Sequence, residues 1–233
     1  MNSTNVVGRI TTWAAIVLVA ILVWNYYREK KFPLEKRYRT FGPRFWTGAV
    51  DTCVFLPLTV TMSSLLSLNI PRVLAAVLVI IQNLAWLVYS VTLHARYGQT
   101  VGKMVTKVRV VGFRTEGKIS WAQAWLRDGI PVFLSLGLVG YQVYELLSGH
   151  IAPSVLENGQ SYNENGPTLW LTLVPGFWFI AEVLTMLTNR KRRALHDFIA
   201  GTVVVRTNID YGNTPSEKVS EPGPSVQAPA PAV

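Results

Sequence analysis

The sequence predicts an all-α membrane protein with five transmembrane helices and a small cytoplasmic β element, in which a strand between helices 3 and 4 pairs with a strand after helix 5. Two observations lead to this fold class. The first is a set of five apolar runs, at residues 10–27, 45–68, 71–94, 130–147 and 169–187, each near the ~20 residues that a helix needs to cross a bilayer. The second is the concentration of basic residues in alternate connecting segments.

The distribution of Lys and Arg residues predicts the orientation. Of the 22 basic residues, only Arg9 and Arg72 lie in segments that would share a side of the membrane with residues 148–168, which carry none. Because cytoplasmic loops are enriched in Lys and Arg, we expect the N-terminus outside and the C-terminus in the cytoplasm of a bacterial cell, with the chain in the cytoplasmic membrane. This orientation requires an odd number of spans, which agrees with five runs.

Two segments outside the apolar runs predict the β element. Residues 107–113 alternate polar and apolar side chains and lead into a turn, and residues 201–206 form a short run rich in Val. We expect a short interfacial helix over 121–128, after Ser120, and one helical turn over 195–199. Two strands on one side of the membrane can pair, but they need a helix or lipid surface to cover them.

The chain divides into three expected regions. Residues 1–43 form an N-terminal anchor helix and a basic loop, because one early charge and no small-residue cleavage site do not fit a cleaved signal peptide. Residues 44–206 form the membrane domain. Residues 207–233 form a disordered, Pro/Ala-rich cytoplasmic tail, since this composition cannot bury a core.

Several classes of function find no support in the sequence. The net charge of +9 is carried near the ends of the spans, which favours contact with anionic lipid over nucleic acid. The lone cysteine, Cys53, excludes an intrachain disulfide and a cysteine-based zinc site. Residues 98–103 are one residue short of a phosphate-binding loop and lack its Ser or Thr, so we expect a bend there and a topology-setting charge at Lys103. No cofactor, metal or enzymatic activity is expected, because hydrolase and zincin motifs are missing.

Ionisable residues within the apolar runs require an explanation, since a charge at the centre of a membrane helix costs roughly 2.5 to 3.5 kcal/mol on insertion scales. Asp51 in the second run and Glu182 in the fifth are expected at similar depth, and Gln82 and Asn83 in the third add polar groups. These side chains would either bind helices together through hydrogen bonds or hold a proton or cation. The residues by themselves do not decide between these two explanations.

Five short patterns occur in a defined order along the chain. They are Arg44 to Asp51 at the start of a membrane helix, residues 98–103, residues 107–111, Arg127, and residues 195–205 around Asp197. In this order and with this hydrophobic spacing, residues 44–206 resemble the RDD family of membrane proteins, which is named for one Arg and two Asp. The resemblance maps these three onto Arg44, Asp51 and Asp197.

The resemblance implies one of two roles. Some members of the family have been proposed as cation/proton antiporters, and other proteins with this domain act as assembly partners in membrane complexes. From the residues, an Arg44–Asp197 pair would join the start of the second helix to the segment after the fifth. We therefore expect a structural or accessory subunit whose partners are the lipid bilayer and other membrane-protein subunits or a second copy; the alternative is a cation/proton transporter. The candidate structural or transport residues are Arg44, Asp51, Arg127, Glu182 and Asp197.

Overall fold

The computed structural model of the protein describes residues 3–68, 70–153 and 167–211. The described part is mainly helical, with two small sheets at one end of the helices. Its helices are α1 (Ser3–Arg28), α2 (Phe41–Leu66), α3 (Arg72–Tyr97), α4 (Val101–Val105), α5 (Trp121–Ser148), α6 (Pro167–Thr188) and α7 (Leu195–Ile199), with a 3-10 turn at Leu34–Lys36. Its strands are β1 (Phe32–Pro33), β2 (Val108–Gly112), β3 (Thr202–Arg206) and β4 (Ile209–Asp210).

Among the described helices, α2, α3 and α5 are long and apolar enough to cross a membrane. Each has 26 or 28 residues, which corresponds to roughly 40 Å of helix, more than the ~30 Å hydrocarbon core. The described apolar segments of α1 and α6, Trp13–Arg28 and Leu173–Thr188, are shorter. Three of the five expected spans thus correspond to helices that are able to cross a membrane, and the first and fifth remain predictions.

The predicted pairing of two strands is confirmed. β2 and β3 run antiparallel over five residue pairs, from Val108 opposite Arg206 to Gly112 opposite Thr202. One face packs on the end of α3 and the start of α5, where Val110 and Val204 join a buried cluster with Val91. Under the other face, Val203 and its neighbours pack with Tyr38 and Phe113. This cover explains why a two-stranded sheet, marginal in isolation, is stable here.

Helix ends at the sheet side are defined by local chemistry. Gly98 ends α3 with φ 69°, a left-handed conformation that glycine adopts without steric penalty, and its N–H donates to the His94 carbonyl at 2.8 Å. Ser120 and Gln123 form a capping box at the start of α5. We call this side of the helices, where α3 ends and α5 begins, the sheet end.

Two expectations need correction. The short interfacial helix expected over 121–128 is not separate: α5 runs unbroken from Trp121 to Ser148 and passes through Pro131. Residues 207–211, where a disordered tail was expected to begin, belong to the described fold, because β1 pairs with β4 in parallel, Phe32 opposite Ile209. Residues 212–233 lie outside the described residues.

Candidate functional site

A buried carboxylate, Asp197, lies at the centre of the polar contacts at the sheet end. Its side chain is completely buried. Arg44 Nη2 donates to Oδ2 at 2.6 Å, Thr202 Oγ1 donates to Oδ1 at 2.9 Å, and Arg127 Nη1 also donates to Oδ1. The backbone N–H of Ala194 donates to Oδ2 at 3.1 Å. One side chain therefore joins α2, α5, α7 and β3.

Electrostatics keep the Asp197 carboxylate ionised. Burial by itself raises the pKa of a carboxyl, but the neighbouring guanidiniums of Arg127 and Arg44 outweigh it and hold the pKa of Asp197 well below its ordinary value. Arg193 adds hydrogen bonds to backbone carbonyls in the same region. Its Nη2 donates to the Asp197 carbonyl at 2.8 Å and its Nε to the Thr202 carbonyl at 2.9 Å.

A second carboxylate, Asp51, holds the short helix α4 against α2. Its Oδ1 accepts from Tyr89 Oη at 2.8 Å and from the Gly102 N–H at 2.6 Å, and its Oδ2 accepts from Thr100 Oγ1 at 2.7 Å. Glycine at 102 permits this approach, since a Cβ there would lie 2.4 Å from the Thr47 carbonyl oxygen. Asp51 is 4% exposed, so this contact is internal to the protein.

A chain of three side chains, two of them buried and the third, Asp128, partly buried, lies between these two carboxylates. Lys103 Nζ is 2.7 Å from His94 Nε2, and His94 Nδ1 is 2.5 Å from Asp128 Oδ2. Arg127 Nε lies 3.7 Å from Asp128 Oδ1, which links this chain to Asp197. Burial lowers the pKa of Lys103 to about 8, and the charge of Arg127 contributes. In total, three Asp side chains and four Lys or Arg side chains are brought together here: Asp51, Asp128 and Asp197 with Arg44, Lys103, Arg127 and Arg193.

Glu182 lies at the margin of this arrangement. It is on α6, where it pairs with Nδ1 of His196, the residue before Asp197. His196 Nε2 is 3.7 Å from Asp197 Oδ1. The pair therefore attaches α6 to α7.

Comparison with protein-family models gives a match to the RDD family over residues 38–201. The matched residues make up well over half of the chain and include all of the charged groups just described. The chain belongs to the RDD family. Neither the search of curated proteins nor that of solved structures gave a match. Its apolar helices and this membership agree in making it a membrane protein.

The RDD chain brings the predicted site residues together to different degrees. Arg44, Arg127 and Asp197 form direct contacts, including the expected Arg44–Asp197 pair. Asp51 and Glu182 contact different elements, α4 and α7, and no hydrogen bond joins one to the other among the described residues.

Three members of this network were not recognised from the sequence. His94 was assigned only to the end of a span, and Asp128 received no role. Lys103 was expected to act as a topology-setting charge, and it is also 8% exposed and contacts His94, because the bend at Gly98 returns Lys103 to the end of α3. All three residues lie near the same side of the membrane in the predicted topology, and this shared position was the signal that could have identified them.

A groove of about 400 Å³, lined by five polar and four apolar residues, opens between α2, α3 and α5 within their apolar length. Asn83 lines it and donates to the Val79 carbonyl at 2.8 Å. Gln82 also lines it, and its amide has no hydrogen-bond partner in the described part of the chain. The described residues contain no group of three His, Cys, Asp or Glu side chains that could hold a metal ion. The other polar residues of the groove are Thr52, Thr59 and Ser135.

Proposed function

We propose that this RDD protein is a structural or accessory subunit of a complex in the bacterial cytoplasmic membrane and that it has no enzymatic activity. The observation that carries the proposal is that contacts within the protein occupy all the acceptor positions of the Asp197 carboxylate. A carboxylate offers about four lone-pair sites for hydrogen bonds, and Asp197 accepts from Arg44, Arg127, Thr202 and the Ala194 N–H. No acceptor position is left for a ligand, so its role is to hold elements together.

Asp51 supports the same role. It accepts three hydrogen bonds from Tyr89, Thr100 and Gly102. These contacts fix α4 on α2, and a cation would have to displace them to bind. The charged residues that give the family its name thus act as an internal scaffold for the helices.

The groove between α2, α3 and α5 is the surface that suits a partner. In hydrocarbon, an amide gains by hydrogen bonding to a neighbouring helix, worth about 0.6 kcal/mol on average. The side chain of Gln82 faces this groove without a partner among the described residues. A transmembrane helix of another subunit, or of a second copy, could use it.

The orientation is also a proposal. The basic residues of the loops at 28–44 and 95–127 support a cytoplasmic sheet end, with the C-terminus on the same side and the N-terminus outside across five spans.

The alternative is cation/proton transport, and the same groove favours it. Thr52, next to Asp51, lines the groove, so a polar path could lead from mid-membrane toward a carboxylate. This path has hydroxyl and amide groups but no ionisable side chain among its lining residues.

Two measurements separate these roles. A photo-crosslinking residue at position 82 should capture a discrete membrane protein in cells, whereas one at Val88, which is 61% exposed on the same helix and is absent from the groove lining, should not. Purified protein in liposomes should show no sodium- or proton-coupled flux. Robust flux that Asp51→Asn abolishes while the folded protein persists, without capture at position 82, would establish transport instead.

A further inference from the structure

A second cavity, of about 610 Å³, lies between α1 and α2 near the sheet end. Its volume is within the range of small-molecule sites, about 300 to 1,000 Å³. Most of the wall is aliphatic or aromatic, and one end is formed by a guanidinium. The residues that matter here are Leu22, Val23, Tyr27, Gly42, Trp46 and Arg206.

Arg206 is held in place but incompletely bonded. It is 9% exposed, its Nε donates to the Arg39 carbonyl at 3.0 Å, and its guanidinium carbon lies 4.0 Å from the centre of the Phe32 ring. Its Nη1 is buried and has no hydrogen-bond partner within the described chain. Buried donors are normally paired, and leaving one unpaired costs about 1 to 3 kcal/mol or more for a charged group.

The charge of Arg206 is also uncompensated. Burial lowers the pKa of Arg206, and the groups that act most to raise it are the phenols of Tyr27, which also hydrogen-bonds to this guanidinium, and Tyr26; both phenols are neutral at pH 7. No carboxylate lies within salt-bridge distance of Arg206 among the described residues. An anion in the cavity would supply both the missing charge and the missing acceptor.

The position of the cavity restricts the kind of anion. Its walls belong to α1 and to the start of α2, a helix that is able to cross the membrane. Tyr27 and Trp46 are residues enriched where hydrocarbon meets headgroups. An anion that carries a long apolar part would match both the guanidinium end and the apolar walls of this cavity.

Part of the cavity wall lies outside the residues that match the family. α1 and Arg206 both lie outside residues 38–201, which match the family, whereas Gly42 and Trp46 lie within them. The cavity is therefore formed where the N-terminal helix and the end of β3 meet the family domain.

We propose that this cavity binds one anionic phospholipid. The phosphate accepts a hydrogen bond from Arg206 Nη1, and an acyl chain lies between α1 and α2 against Leu22, Val23 and Trp46. This lipid connects α1 to the rest of the protein. The proposal is independent of whether the protein is an accessory subunit or a transporter.

The test uses the full chain in nanodiscs of equimolar phosphatidylglycerol and phosphatidylcholine. After extraction into mild detergent, native mass spectrometry should find one phosphatidylglycerol retained in preference to phosphatidylcholine. Arg206→Gln should reduce this retention about tenfold, as expected for loss of a charged hydrogen bond. Arg114→Gln, an equal charge change at an exposed position, should leave retention unchanged.

A second pair of variants keeps Arg206 intact. Gly42 lines the cavity, and a Cβ there meets no atom within 4 Å. Gly42→Leu should therefore fold, occupy acyl-chain space and lower retention of phosphatidylglycerol. Gly48→Leu, equally uncrowded but absent from the cavity wall, should behave as the wild type. Equal retention of both lipids by the wild type, or unchanged retention in both Arg206→Gln and Gly42→Leu, would overturn the proposal.

Discussion

Lys103 Nζ lies 2.7 Å from His94 Nε2, and this contact determines where the imidazole carries its proton. An ammonium group can only donate hydrogen bonds, so Nε2 must be the acceptor. A neutral ring then holds its proton on Nδ1, which donates to Asp128 Oδ2 at 2.5 Å. The positive charge of Lys103 and the negative charge of Asp128 are thus connected through a neutral histidine.

The buried Lys103 predicts a specific dependence of stability on pH. Its pKa is lowered to about 8 in the folded protein, first by burial, against an ordinary value of about 10.4. The folded state therefore binds fewer protons than the unfolded state between these values, and stability rises with pH across the window. The stability that is gained when Lys103 is neutral is fully present above the pKa of the unfolded state, and it is lost as pH falls through about 8. The shift corresponds to about 3 kcal/mol.

This prediction is measured by comparing the wild type with Lys103→Met. We expect the difference in their apparent unfolding temperatures to change in favour of the wild type from pH 8 to pH 10 and to be constant from pH 6 to pH 7. The comparison cancels other groups that titrate in the window. A difference that is constant over the whole range would show that Lys103 titrates normally.

A second prediction concerns Asp197. Asp197→Asn leaves Arg44 and Arg127 buried without their shared counter-charge. Removing one partner of a buried pair costs about 3 to 5 kcal/mol, so we expect lower abundance in the membrane and a lower unfolding temperature. Glu35→Gln, an equal charge change on the exposed 3-10 turn, is the control. Equal abundance and equal unfolding temperatures for the two variants would mean that Asp197 does not stabilise the fold.

Much of the architecture could be predicted because it depends on local pattern. The alternation at 107–113 and the Val-rich run at 201–206 are readable without tertiary information, and β2 and β3 pair as these patterns indicate. The Arg44–Asp197 contact was also predictable, since both residues were expected at the same side of the membrane. Hydropathy and the distribution of charge predict on which side of the membrane a residue lies and at what depth.

The remaining contacts depend on how each helix is rotated about its own axis and on how the helices pack, and a single sequence does not reveal either. His94 and Asp128 meet because α3 and α5 face each other with these residues toward the interface. Lys103 is buried because the turn at Gly98 reverses the chain. The continuity of α5 was missed because its first turns carry polar residues, although the packing of Ala124 against the sheet keeps them helical. Tertiary packing overrides local polarity at such positions.

The close approach of α4 to α2 gives a third prediction. A Cβ at Gly102 would lie 2.4 Å from the Thr47 carbonyl oxygen and 2.9 Å from Asp51 Cγ, so Gly102→Ala must push the two helices apart. We expect a loss of about 1 to 3 kcal/mol in stability. Gly48→Ala is the matched control because its Cβ meets no atom within 4 Å, and replacing glycine within a helix should stabilise by about 0.5 to 1 kcal/mol.

Unfolding temperatures in detergent that fall below the wild type for Gly102→Ala and rise above it for Gly48→Ala would match this packing. If Gly102→Ala were as stable as Gly48→Ala, α4 would not lie against α2 at this distance.

The fourth prediction tests both the path of α5 and the proposed orientation. Residues 118 and 150 flank α5 and are exposed, and 28 helical residues separate them by roughly 42 Å. If α5 crosses the bilayer, the two positions lie on opposite sides. The excess of basic residues in the loop at 95–127 assigns Lys118 to the cytoplasm and His150 to the outside.

Single cysteines at these positions, in a Cys53→Ala background, provide the measurement. A membrane-impermeant maleimide applied to intact cells should label His150→Cys but not Lys118→Cys, and permeabilised cells should show labelling of both. Reversed labelling would leave α5 as a span but invert the orientation. Labelling of both positions in intact cells would show that α5 does not cross the membrane, because two ends on one side cannot be separated by a bilayer.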